Sequence, residues 1–101
     1  EVFLAVHGQE HSDVAKSLMG IGKVLYAMGK DEEALVEHHK ALEVFLAVHG
    51  QEHPDVAKSY GNIGIVLEDM GKPEEALVQL RKGLELKIKI LGHELVCGGL
   101  L

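Results

Sequence analysis

Apolar residues along this chain recur at helical rather than strand spacing. Val14, Leu18, Ile21 and Leu25 follow one another at steps of four, three and four, which lines one face of a helix. Val56, Tyr60, Ile63 and Leu67 repeat those steps further on. The first run opens at His11-Ser12-Asp13 and the second at His53-Pro54-Asp55. Ser and Asp cap the unpaired N–H groups of a first turn, and Pro has no N–H to leave unpaired. Both runs stop at Met-Gly-Lys, where Gly29 and Gly71 are C-terminal punctuation. A second apolar set, Ala34, Leu35, Leu42, Phe45, Leu46 and Val48, follows the acidic start Asp31-Glu32-Glu33. Pro73-Glu74-Glu75 is the matching start later in the chain, and carboxylates there suit the positive end of a helix. Gly50 and Gly92 mark the ends of these second helices. The pattern predicts a short helix over about 1–7, then helices near 12–28, 31–49, 54–70 and 73–91.

The pattern is periodic because the sequence is. Glu-Val-Phe-Leu-Ala-Val-His-Gly-Gln-Glu-His stands at 1–11 and again at 43–53, an offset of 42, and 30 of the 42 positions in 1–42 match those in 43–84. Such internal identity marks a repeat architecture. The expected organisation is one all-α array over 1–101. It divides into units at 1–42 and 43–84, a partial third unit at 85–94 and an apolar tail at 95–101. No Pro- or Ser-rich linker divides it. By the internal alignment Glu1 falls inside a second-type helix, so a piece of a longer array is expected.

Gly22, Gly29, Ala34 and Ala41 in the first unit, and Gly64, Gly71 and Ala76 in the second, sit at the spacing of small residues in the tetratricopeptide repeat, which this chain resembles. Gly83 replaces the second alanine in the later unit. His38 and Leu80 stand where that family usually has an aromatic, and its closing Pro is absent. The 42-residue spacing and the junction His49-Gly50-Gln51-Glu52-His53-Pro54-Asp55-Val56-Ala57 are similar to kinesin light chain and nephrocystin-like repeats. Of the asparagines that those repeats carry in the first helix, Asn62 is retained. The resemblance implies a right-handed superhelical stack of antiparallel helix hairpins, an α-solenoid. First helices then line the concave side and second helices the convex side. It also implies a scaffold that holds a peptide or protein partner, of the cargo or adaptor kind.

Charge and composition narrow the partner. A net charge of −6 repels phosphate backbones and anionic membrane surfaces, so neither nucleic acid nor membrane is expected. Cys97 is the single cysteine, which excludes an intrachain disulfide and favours a reducing, cytoplasmic setting. The first residues lack the basic segment of a secretion signal. With aromatics at 4% and no Trp, the core must be aliphatic.

Twelve positions differ between the two units. Among them Met19, Gly20, Lys23, Tyr26 and Ala27 become Gly61, Asn62, Ile65, Glu68 and Asp69, and positions 19, 23, 26 and 27 form one helix stripe. On the resembled fold this stripe faces the groove. The candidate peptide-binding surface is Lys16, Met19, Lys23, Tyr26, Lys58, Asn62, Ile65, Glu68 and Asp69. Drift on a solvent-exposed face explains the same divergence equally well. Glu37, His38 and His39 also diverge, to Gln79, Leu80 and Arg81. The lysines suit an acidic or mixed-charge segment. The alternative function is a structural spacer or self-assembling array without a groove ligand. Apolar ends, Val2, Phe3, Leu4 and Val6 at one side and 95–101 at the other, favour a homo-oligomer by stacking or exchange.

Chemistry finds little support. His7 and His11 are four apart, as are His49 and His53, but Gly8 and Gly50 are expected to break the helix that would align them for a metal. These histidines are expected to cap helices and pack in the turns, so no metal or other cofactor is anticipated. There is no phosphate-cradling loop and no nucleophile elbow. The Glu32-Glu33 and Glu74-Glu75 pairs fit helix-start electrostatics, and a non-enzyme is expected.

Overall fold

The computed structural model describes residues 8–97, with side-chain environments given for residues 11–93. Four helices run through these residues: α1 (Gly8–Ala27), α2 (Asp31–His49), α3 (Pro54–Asp69) and α4 (Pro73–Cys97). No strand occurs among them. The helices form two antiparallel hairpins, α1 with α2 and α3 with α4, which meet chiefly through α2 and α3. The molecule measures 44 × 33 × 19 Å, and its thinnest dimension fits two helix layers at about 8–10 Å spacing.

Each hairpin turn is built from the glycine that the sequence places there. Gly29 and Gly71 both take φ of 80°, a left-handed conformation that other residues rarely tolerate. Lys30 N–H then donates to the Leu25 carbonyl at 2.9 Å and Gly29 N–H to Tyr26 at 3.0 Å, and Lys72 and Gly71 repeat both bonds onto Leu67 and Glu68. This paired closure satisfies carbonyls that the helix end would leave unbonded.

Helix boundaries follow the expected ones closely in the middle and depart at both ends. Residues 1–7 and 98–101, which carry the expected first short helix and most of the apolar tail, lie outside the described residues. α1 begins at Gly8 rather than at 12, so Gly8 does not separate His11 from the helix. The same His-Gly-Gln-Glu-His run stands at 49–53, yet there the helix breaks at Gly50. The following residue accounts for the difference. Pro54 forces His53 out of the α region, to φ −143° and ψ 142°, whereas Ser12 imposes no such restriction. α4 runs on to Cys97, so Gly92 is not a stop either. Without a proline ahead, glycine alone costs a helix only about 1 kcal/mol.

One buried cluster ties the hairpins together. Ala15 and Met19 of α1, Ala41, Leu42 and Phe45 of α2, Val56, Ile63 and Leu67 of α3 and Ala76 of α4 are all in it. Phe45 is its largest fully buried side chain. Within each hairpin a glycine lets the helices approach. A Cβ on Gly22 would lie 2.8 Å from the His38 ring, and one on Gly64 would lie 2.6 Å from Leu80 Cγ and 3.1 Å from the Ala76 carbonyl oxygen.

That second contact leaves little room to yield. Gly64→Ala should destabilise the fold by about 1–3 kcal/mol, read as a lowered midpoint in chemical denaturation. The same change made on a Leu80→Ala background should cost much less. An equal cost in both backgrounds refutes the steric account.

Candidate functional site

The groove lies where α1 and α3 run side by side over the middle of α2. Lys23 and Tyr26 of α1, Asn62, Ile65 and Val66 of α3 and His38 of α2 line a hollow of about 150 Å³ there. Small-molecule sites typically occupy about 300–1,000 Å³, so this hollow suits a single side chain or a length of backbone. Its floor is polar and under-satisfied. His38 is 2% exposed. Its Nδ1 and the Asn62 Nδ2 are both buried without a hydrogen-bond partner among the described residues. A buried polar group left unbonded costs about 1–3 kcal/mol. Asn62 Nδ2 can only donate and Lys23 is cationic, so the hollow favours a group with lone pairs or negative charge.

Four of the nine expected site residues meet in this hollow: Lys23, Tyr26, Asn62 and Ile65. Glu68 is next along the same face. It lines a separate depression with Pro73, Ala76, Leu77 and Leu80. By the 42-residue offset, Glu68 and Leu80 are the counterparts of Tyr26 and His38. Asp69 turns toward the start of α2. Its carboxyl, through a shared hydrogen bond, helped by burial and like charge, raises the Asp31 pKa above the usual carboxylate value.

The remaining three lie elsewhere. Lys58 borders a different hollow with Pro54, Lys87, Ile90 and Leu91. Lys16 sits at the inter-hairpin junction, near enough to His53 to disfavour its protonation. Met19 is a correction: it is 6% exposed and belongs to the core cluster. At 3.6 residues per turn it stands about 40° around the helix from Ala15, and its flexible side chain turns into the hairpin seam. Its divergence to Gly61, paired with Ala41 to Gly83, therefore reports packing and not ligand contact.

His38 and Val66 also line the hollow, outside the expected binding surface. His38 did carry a signal, since it differs from its copy, Leu80. Val66 carried none, because both units have Val there.

The His38 imidazole is held below the ordinary value of 6.5, mainly by burial, with Lys23 and His39 adding to the effect and Glu37 opposing it. The hollow is thus lined by a neutral ring near neutral pH.

A family model described as Tetratricopeptide repeat matches residues 1–89. No curated protein matches the sequence. No helix among the described residues is long and apolar enough to cross a membrane.

Because the unfolded chain protonates His38 first, this residue's contribution to stability is complete above about pH 6.5 and is lost as pH falls through the lowered folded value. His38→Leu copies the residue at position 80 and should shrink the drop in melting temperature between about pH 7.5 and pH 5. A drop as large as that of the unaltered chain refutes the assignment.

Proposed function

We propose, from the premise that this chain belongs to the tetratricopeptide repeat family, that its α1–α3 groove holds an extended segment of another protein. Repeats of this family generally mediate protein–protein interaction, and they stack helical hairpins into a right-handed superhelix. The observation that carries the finer reading is the pair of buried, unbonded groups in the hollow, Asn62 Nδ2 and His38 Nδ1. A peptide carbonyl or carboxylate seated there recovers hydrogen bonds that the free chain forgoes. Lys23 favours an acidic residue in the bound segment. Glu68 and Asp69 further along favour a basic one, so a mixed-charge peptide fits best. Such a module binds and does not catalyse, and its lone cysteine suits a cytoplasmic setting.

A second reading, self-assembly, rests on a different observation. α3 buries Val56, Ile63 and Val66 against the first hairpin, and their counterparts in α1, Val14, Ile21 and Val24, are 50–59% exposed. α2 packs Leu42 and Leu46 at or against the core, and their counterparts in α4, Leu84 and Ile88, are 57% and 60% exposed. The outer face of α4 therefore has the shape of α2, and the free face of α1 has the shape of α3. The α2–α3 contact is a template for α4 of one chain against α1 of the next, as it would be for further repeats in a longer chain.

For the groove, peptides selected by display against the unaltered chain should bind the Lys23→Ala, Asn62→Ala double variant about tenfold or more weakly, each tenfold being about 1.4 kcal/mol. Unchanged affinity rejects the groove. For assembly, mass by light scattering should rise with concentration. Ile21→Lys or Ile88→Lys alone should abolish the rise, and an equal mixture of the two should give dimers, since one intact face of each kind remains. A mixture that stays monomeric argues against end-to-end stacking.

A further inference from the structure

The junction between the hairpins assembles a ligand set that linear spacing does not announce. Gly50, at φ 81°, ends α2, and the chain then turns back before Pro54 starts α3. The turn lays the His53 ring over the His49 ring, with centroids 3.7 Å apart and planes within 8°. Asp55 Oδ2 lies 3.8 Å from His49 Nε2 and 3.8 Å from His53 Nδ1. One ligand atom from each of the three residues falls within 4.8 Å of the others. Gly50 does interrupt the helix, as expected, but the interruption brings the imidazoles together instead of keeping them apart.

We propose that His49, His53 and Asp55 bind a divalent transition-metal ion of the zinc type. Two imidazole nitrogens and one carboxylate oxygen form the three-ligand set that leaves a fourth position open to water. Imidazole selects such ions over calcium and magnesium, which prefer all-oxygen shells. Ligand atoms about 2.0–2.1 Å from a tetrahedral ion are about 3.3 Å from one another, so the two 3.8 Å separations to Asp55 close with movements of a few tenths of an ångström, and the two imidazole nitrogens, within 4.8 Å, close as a ring turns. Phe45 stacks on His49 at 5.9 Å and limits its motion, so His53 is the ring that turns to converge on the ion. All three side chains are partly exposed, at 22%, 35% and 19%, which gives the ion an entry path.

Two existing bonds compete. The Asp55 N–H donates to His53 Nδ1 at 3.1 Å as the cap of α3, and Ser12 Oγ lies 3.2 Å from His49 Nε2. The ion displaces the first bond at a helix start, where water can serve the freed N–H. His49 closes α2 and Asp55 opens α3, so an ion here touches both hairpins and fixes their relative placement.

Isothermal titration of the chain with zinc chloride tests the site, with the melting temperature followed in parallel. The expected result is one high-affinity ion per chain, a raised melting temperature reversed by chelator, and tetrahedral absorption bands on cobalt substitution. His53→Asn keeps a side-chain acceptor for the Asp55 N–H while removing the imidazole, so it should fold normally and bind about tenfold or more weakly. Asp55→Asn should weaken binding likewise, and His39→Gln should leave it intact. No binding, or binding that survives His53→Asn, overturns the proposal.

Discussion

A helical hairpin has more apolar surface than its two helices can cover between them, and the contact of α2 with α3 is where this molecule resolves that excess. Leu42 and Phe45 on one side and Val56 and Ile63 on the other lie in a single buried cluster that reaches into both hairpins. The groove depends on this contact, because α1 and α3 are neighbours only while α2 carries both. The junction cluster depends on it too, since His49 closes α2 and Asp55 opens α3. A repeat array is stabilised by neighbour contacts of this kind, each resembling the last, which is why the unpaired faces of α1 and α4 are legible as the two halves of a contact already present.

Within each hairpin the two units reach the same architecture with different packing. The first places the His38 ring against Gly22, and the second places Leu80 against Gly64. The imidazole fills the space of the leucine but brings a nitrogen that the hairpin does not satisfy. A purely structural demand would be met more cheaply by leucine, as the second unit shows. The retained polarity lies under the groove beside Asn62, whose Nδ2 also has no partner among the described residues. Two unsatisfied groups on one floor make a stronger case for a ligand than divergence between copies does, because divergence also arises from packing, as Met19 and Gly61 show.

The junction illustrates how little local sequence separates two conformations. The run His-Gly-Gln-Glu-His leads into a proline in one copy and a serine in the other; residues 8–11 of the serine copy are helical, whereas residues 50–53 of the proline copy are not. The break frees His53 to cap α3 and stack on His49. Groove positions alone make up the expected binding surface, and a helix break at Gly50 is expected to hold the histidines apart. A sharp turn does the opposite.

The sequence by itself determined the helices, their hairpin turns at Gly29 and Gly71, the small residues at the tight crossings and the 42-residue period, because spacing, caps and glycine placement act over a few residues. It also pointed to Lys23, Tyr26, Asn62 and Ile65, which line one hollow, but differences between copies pointed equally to Met19, which lies in the core. Tertiary structure decided which way borderline side chains turn. Met19 faces the seam and His38 the groove, although both diverge between copies, because rotation about the helix axis is set by which neighbour covers which face. It also decided that Lys58 faces a different hollow and that His49, His53 and Asp55 converge. Those outcomes depend on distances between elements, which side-chain packing fixes and linear spacing does not encode.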